Sequence, residues 1–255
     1  VAELRRAKYA DVLAGLPSVE LALGRARLAG RHDVVVGASA FRAEKILIAT
    51  GARPARPSIP GLADAGVWDS TSAMDQTQLP RRLVVLGGRY IALELGQMFA
   101  RLGSRVTLVQ RSNQLLPEED GDLASALTEY LGREGIDVRV SRQVSRVVRD
   151  GREYLVELRG QGLTEELRAD AVLSALGRAP NTQGLGLEEL GVELDRSGAV
   201  TVGEHLETNV AGVYAAGDVI GEQLYVYAAA YEGALAAENA LMGTATPRDY
   251  TAIPW

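Results

Sequence analysis

The stretch Leu83-Val84-Val85-Leu86-Gly87-Gly88-Arg89-Tyr90-Ile91-Ala92-Leu93-Glu94 decides the fold. Its four apolar residues at 83–86 have the composition of a strand covered on both faces, as a parallel sheet requires. Gly87-Gly88 marks a tight turn, and a helix pattern then runs from about Tyr90 to Leu102, where Gly103 stops it. A second apolar run, Val106-Thr107-Leu108-Val109, follows at once. Strand, helix and strand in this order make a βαβ unit, whose crossover is right-handed for steric reasons. The chain is therefore expected to be α/β, with a Rossmann-like domain at its centre.

A glycine turn between strand and helix brings bare backbone N–H groups and a helix N-terminus against an anion, and the macrodipole favours a pyrophosphate there. The dinucleotide fingerprint G-x-G-x-x-G/A falls on Gly87, Arg89 and Ala92, with Gly88 inside the turn. The first position is met, and the third is met by the permitted alanine. The second is not, because Arg89 stands where a missing side chain lets backbone approach the phosphates. Two readings stay open: the Arg89 guanidinium swings out and pairs with phosphate oxygens, or the turn keeps its shape without a nucleotide. At the end of the second strand a carboxylate would bind the ribose 2′-OH of NAD and repel a 2′-phosphate. Neutral Gln110 followed by Arg111 removes that repulsion and adds a cation, which points to NADP, with NAD as the other possibility. The bland alternative is that Arg111 is a solvated surface arginine.

Strand and helix signals alternate outward from this unit. Residues 1–13 read as an amphipathic helix stopped by Gly15-Leu16-Pro17, and short strands are expected at 19–23 and 33–36. The apolar run 45–49 reads as a covered strand ending in Thr50-Gly51 and a loop that holds Pro54, Pro57 and Pro60-Gly61. The polar stretch 69–82 reads as a domain crossing. Beyond the central unit a helix is expected at 122–133, with strands at 136–140, 144–148, 154–158 and 171–175. Asp150-Gly151 signals a hairpin between the second and third of these strands. Composition shifts near 197–203, and a short strand at 212–216 precedes an Ala-rich helix at 227–242.

A length of 255 residues suits one large or two modest domains, and 47% hydrophobic with 24% charged residues excludes a disordered chain. A net charge of −6 without a block of Lys or Arg leaves no basis for nucleic-acid binding. No apolar run approaches the ~20 residues of a membrane span. With no signal-peptide or lipidation pattern, a cytoplasmic protein without a membrane partner is expected. The absence of cysteine removes disulfides, thiol nucleophiles and dithiol centres from these residues, and His32 and His205 are too few for a multi-histidine metal site, so no metal is expected. The chain starts at Val1 rather than Met, which suggests a piece of something longer.

Four segments taken together are similar to the pyridine nucleotide–disulfide oxidoreductases. They are Ala49-Thr50-Gly51 with the proline loop to Gly61; Gly87 to Glu94; Ala175-Leu176-Gly177-Arg178-Ala179-Pro180-Asn181-Thr182; and Thr208 with Gly212-Val213-Tyr214-Ala215-Ala216-Gly217-Asp218. Within that family the chain looks most like the mercuric reductase branch, through Glu3-Leu4-Arg5, Phe99-Ala100-Arg101-Leu102-Gly103-Ser104, Val226-Tyr227-Ala228-Ala229-Ala230 and Thr251-Ala252-Ile253-Pro254.

The resemblance implies an NAD(P)-binding domain over residues 76–196. It sits inside an incomplete, discontinuous FAD-binding domain formed by 1–75 and 197–244, and 245–255 begins a truncated interface domain. It implies that Tyr90 covers the flavin and swings away for nicotinamide, that Glu94 touches the nicotinamide end, and that Asp218 beside Gly217 hydrogen-bonds FAD. The alternative for Asp218 is a helix cap. Thr50 and Gly51 would pack near the same cofactor, and Gly177-Arg178 would line the cofactor cleft. Family members specific for NADP often carry two arginines after the second strand; Arg111 matches the first, but Pro117 stands at the second.

The implied activity passes hydride from NADPH to FAD, then electrons to a dithiol and to a small-molecule substrate, in a homodimer built through a domain absent from these residues. These residues alone would then bind NADP(H), hold FAD poorly and reduce nothing at a useful rate. The other readings are a flavoprotein reductase or transhydrogenase without a disulfide, and a non-catalytic dinucleotide-binding module.

Overall fold

The computed structural model describes residues 11–253. The chain divides into two compact units, one spanning 53–178 and the other joining 1–52 to 179–255. In chain order the elements are α1 (Asp11–Ala14), β1 (Ala26–Gly30), β2 (Asp33–Val36), β3 (Ser39–Arg42), β4 (Ile46–Ile48), β5 (Ala52–Pro54), α2 (Ser70–Met74), β6 (Arg82–Leu86), α3 (Tyr90–Arg101) and β7 (Arg105–Val109). There follow α4 (Gly121–Arg133), β8 (Asp137–Arg139), β9 (Gln143–Asp150), β10 (Glu153–Gly160), β11 (Leu163–Ala169), β12 (Ala171–Ser174), β13 (Arg178–Pro180), β14 (Val213–Ala215) and α5 (Val226–Met242).

In the unit 53–178, four parallel strands lie in the order β12-β6-β7-β8. The apolar run 83–86 is at most 3% exposed, because it is covered on both sides. Side chains alternate along a strand, so Leu83 and Val85 pack with Ala92 and Phe99 of α3 and Leu131 of α4. Val84 and Leu86 pack on the opposite side with Val147, Tyr154, Val156 and Leu158 of the antiparallel sheet β9-β10-β11. The hairpin signalled by Asp150-Gly151 joins β9 to β10, with Asp150 opposite Glu153. Strand β11 gives no apolar signal in the sequence because only Ala169 of its seven residues is buried.

The proline loop after β5 belongs to this unit rather than to a linker. Leu62 and Ala65 are buried in the β-sheet core. Gly61 adopts φ +78°, and a Cβ there would meet the Val147 carbonyl oxygen at 1.9 Å. The polar stretch that follows opens with the short capped helix α2: the Asp69 carboxylate accepts from the Thr71 and Ser72 N–H groups, and the Ser72 hydroxyl closes the capping box. The compact units divide at 52/53 and 178/179.

In the other unit, β1-β2-β3 form an antiparallel sheet, and β4 pairs with β14 in parallel. Its core gathers Leu28, Ile48, Leu187, Leu206, Val213, Ala215 and Val219 with Leu235 and Ala236 of α5. The strand expected at 19–23 does not form. Val19, Leu21 and Leu23 are 44%, 55% and 86% exposed, and the first strand begins at Ala26. Of the helix expected over 1–13, residues 1–10 lie outside the described residues, and helix is present at Asp11–Ala14. Strands β5 and β13 pair as a further two-stranded sheet.

Candidate functional site

The turn after β6 is built around two glycines, each needed for a different reason. Gly87 has φ +124°, and a Cβ would lie 2.4 Å from the Ala175 carbonyl oxygen at the end of β12. Its N–H donates to the Val109 carbonyl at 2.8 Å, so the turn is held between the carboxyl ends of its two neighbouring strands. At Gly88 a Cβ would crowd Gln110 Cβ and Leu115 Cδ2, both at 2.9 Å. Gly88 also accepts a hydrogen bond from the Leu116 N–H at 2.8 Å. This is the strand edge at which open α/β sheets bind ligands.

Arg89 is the N-cap of α3, with φ −105° and ψ −176°, extended geometry that any residue adopts. The absence of glycine at the second fingerprint position therefore causes no backbone strain. The Arg89 side chain makes no cap hydrogen bond and pairs instead with Glu118. The first N–H groups of a helix have no intrahelical partner, so the end of α3 presents donors and a positive dipole without a side-chain cap. Ala92 is 1% exposed against the sheet. One turn on, a Cβ at Gly96 would stand 3.0 Å from Leu108 Cδ2. The small pair Ala92 and Gly96 seats α3 on β7; the fingerprint ended at Ala92, and the signal for Gly96 was its four-residue spacing on the same helix face. Tyr90 is exposed, with its hydroxyl donating to Glu119 Oε1 at 2.9 Å, and Glu94 is exposed one turn further along α3.

At the end of β7, Gln110 is buried beneath Gly88, and its Oε1 accepts from the Arg111 N–H at 3.0 Å. The Gln110 N–H donates to the Arg139 carbonyl at 2.8 Å. Arg111 is exposed, and among the described residues no carboxylate pairs with it. The structure thus gathers Gly87, Gly88, Arg89, Ala92, Gln110 and Arg111 around one strand edge.

A second group forms in the other unit. Because β4 and β14 are parallel and adjacent, with Ile48 opposite Ala215, the segments that follow them leave the sheet side by side. After β4, Thr50 Oγ1 donates to the Asn181 carbonyl at 2.8 Å, and Asn181 Nδ2 returns a bond to the Thr50 carbonyl at 2.9 Å. Gly51 has φ +68°, and its carbonyl accepts from the Asn181 N–H. After β14, Gly217 has φ +77° and opens the 3₁₀ turn Gly217–Ile220. Asp218 lies in the first turn, whose N-cap is Ala216 without a side-chain cap bond, so Asp218 is not a cap. Gly177 and Arg178 belong to the unit 53–178; Gly177 has φ +117° and Arg178 is half-buried.

Sequence reasoning did not single out the residue that holds Gly217 in place. Glu232 of α5 is fully buried, and its Oε2 accepts from the Gly217 N–H at 2.7 Å. Its Oε1 accepts from the Tyr250 hydroxyl at 2.7 Å. Burial, followed by Glu232, pushes the Tyr250 phenol well up. The only hint of Glu232 in the sequence was an acidic residue, one of two with Glu238, in an otherwise Ala-rich helix. Among the described residues no group of three His, Cys, Asp or Glu side chains could hold a metal ion, and no helix is long and apolar enough to cross a membrane.

Comparison with known proteins matches residues 3–237 to the pyridine nucleotide-disulphide oxidoreductase family. The chain is 42% identical over 259 residues to a mercuric reductase of Acidithiobacillus ferrooxidans, covering all of this chain and 46% of that protein. It is 41% identical over 259 residues to a mercuric reductase of Streptomyces lividans, covering 54% of that protein. Among solved structures it resembles the HOCl-induced flavoprotein disulfide reductase RclA from Escherichia coli, with a TM-score of 0.88 and 32% identity over 98% of this chain and 56% of that one. The chain therefore spans about half the length of the curated relatives it matches.

Proposed function

The chain belongs to the pyridine nucleotide-disulphide oxidoreductase family, and on that premise we propose that the whole protein is an FAD-dependent NAD(P)H oxidoreductase of the disulfide reductase type, acting on a small molecule. The mercuric reductases among its relatives make mercuric ion the first substrate to test. The observation that carries the reading is the Gly87-Gly88 turn. A Cβ at Gly87 would clash with the Ala175 carbonyl and one at Gly88 with Gln110 and Leu115, so only glycine allows this tight turn, and the turn leads into a helix end with no side-chain cap.

The residues fit the two coenzymes. The backbone N–H groups at the start of α3 suit the pyrophosphate of a pyridine dinucleotide, and Arg111 suits a 2′-phosphate, which favours NADP over NAD. Tyr90 and Glu94 share the exposed side of α3 and are assigned to the nicotinamide end. Thr50, Gly51, Gly217 and Asp218, leaving adjacent parallel strands, are assigned to FAD, and Gly177-Arg178 of the unit 53–178 are assigned a cofactor-binding role. Bound together, these coenzymes supply hydride transfer, chemistry that the side chains present cannot perform. The chain's own part is to bind and orient: Gly87 fixes the turn, Ala92 and Gly96 seat the helix, and Glu232 fixes the amide beside Asp218. Since the chain contains no cysteine, we assign the dithiol, and with it the homodimer interface, to protein beyond these 255 residues. A need for NADPH fits a cytoplasmic location.

Stopped-flow mixing of the intact, FAD-loaded protein with NADPH or NADH tests the reading. Bleaching of the flavin absorbance is expected, faster with NADPH. A flavin that neither nucleotide reduces would overturn it.

A further inference from the structure

The sequence offers Arg111 as one cation for a 2′-phosphate and Pro117 where a second arginine was sought. The structure places another arginine beside the same strand end. The segment after β8 is laced to the segment after β7 by three backbone hydrogen bonds: Gln110 N–H to the Arg139 carbonyl at 2.8 Å, Arg142 N–H to the Gln110 carbonyl at 3.0 Å, and Ser141 N–H to the Ser112 carbonyl at 2.7 Å. Arg142 is thereby fixed next to neutral Gln110 and cationic Arg111.

Three features set Arg142 apart from an ordinary surface arginine. Its Nε is buried and has no hydrogen-bond acceptor, an unmet demand that native structures rarely carry without a reason. Its Nη1, among the described residues, reaches only the adjacent Ser141 carbonyl, at 3.2 Å. Among the described residues it pairs with no carboxylate, whereas nearby Arg139 is neutralised by Asp137 at 2.9 Å and Glu165 at 3.6 Å. The backbone that presents it is held in an uncommon shape. Ser141 takes φ +53°, and a Cβ at Gly160 would stand 2.1 Å from the Ser141 carbonyl oxygen, so the end of β10 closes directly on this segment. A non-glycine residue in the left-handed region costs free energy and persists where the surroundings over-determine it, often at a binding site.

We propose that Arg142 is a specificity-determining residue, which pairs with Arg111 to hold the 2′-phosphate of a phosphorylated adenine dinucleotide; this rests on the dinucleotide reading of the Gly87 turn. A phosphate there would accept from the Nη groups of the guanidinium, which no carboxylate neutralises among the described residues, and charge-assisted bonds of this kind are the strong ones. The second cation thus comes from the neighbouring strand's loop rather than from the loop that follows Arg111.

Calorimetric titration of the intact protein with 2′,5′-ADP and with 5′-AMP tests the assignment, since the two ligands differ only in the 2′-phosphate. The wild-type protein is expected to prefer 2′,5′-ADP. Arg142→Gln should weaken 2′,5′-ADP by roughly tenfold or more while 5′-AMP stays within about twofold, which also reports that the variant is folded. Arg142→Lys should recover part of the loss. Equal weakening of both ligands, or of neither, would overturn the proposal, as would a wild-type protein without preference between them. A wild-type protein that binds neither ligand would overturn the dinucleotide reading and this proposal with it.

Discussion

Replacing Gly87 by alanine tests whether the turn is closed in the way the site requires. At φ +124° an L side chain lies outside its allowed regions, at a cost of about 1–3 kcal/mol. The new Cβ would also stand 2.4 Å from the Ala175 carbonyl oxygen, and backbone cannot rotate away as a flexible side chain can. Relief requires β6 and β12 to part at their carboxyl ends, straining the 2.8 Å bonds from Gly87 N–H to Val109 and from Ala175 N–H to Leu86. Overpacking of this kind costs about 1–3 kcal/mol more. The sum is about 4 kcal/mol, and at about 2–4 °C per kcal/mol for a chain near this size the melting temperature should fall by roughly 10 °C. Gly132 supplies a control of opposite sign. It lies within α4 and a Cβ there meets nothing within 4 Å, so Gly132→Ala should stabilise by about 0.5–1 kcal/mol. Thermal unfolding followed by far-ultraviolet circular dichroism would read both variants, and titration with NADP(H) would show binding lost at Gly87 and kept at Gly132. A Gly87→Ala protein that melts with the wild type would show that the turn is not pressed against β12, and the anion cradle would lose its structural basis.

Two further outcomes are expected. Arg82 hydrogen-bonds Asp170 at 2.6 Å and Glu153 at 2.5 Å, which holds both carboxyls below their ordinary values of 3.8 and 4.5. Stability from depressed carboxyls is present above the unfolded values and lost as pH falls through the folded ones. The wild-type protein should therefore weaken only below about pH 4, and Arg82→Met should move the acid transition to higher pH; identical acid limbs would refute the link. Glu232→Ala removes the acceptor of two buried bonds, to the Gly217 N–H and the Tyr250 hydroxyl, and should destabilise by about 3 kcal/mol in urea unfolding. Tyr250→Phe, which removes one of them, should cost about 1 kcal/mol, and a silent Glu232→Ala would deny Glu232 its anchoring role.

The central βαβ unit was legible because its signals are local. A run of apolar residues at 83–86, two glycines and a helical repeat need no distant partner to be recognised, and strand β6, helix α3 and strand β7 stand where their sequence puts them. Asp150-Gly151 announced its hairpin for the same reason. Features decided across the fold left no such trace. Polar β11 is a strand because β10 lies beside it, whereas among the described residues no strand pairs with the apolar residues at 19–23. The short helix Ser70–Met74 went unread in the stretch 69–82 because a capping box is as polar as an irregular segment.

Within the candidate site, the sequence by itself determined the glycines, the helix start and the neutral end of the second strand. Only the tertiary structure decided that Arg89 pairs with Glu118, that Gly96 seats its helix, that Glu232 reaches Gly217 across fifteen residues and that Arg142 lies beside Gln110. The physical reason is common to all four. Turn and helix geometry is written into neighbouring residues, whereas a contact between strand ends or helix faces exists only once the sheet has set which distant segments meet.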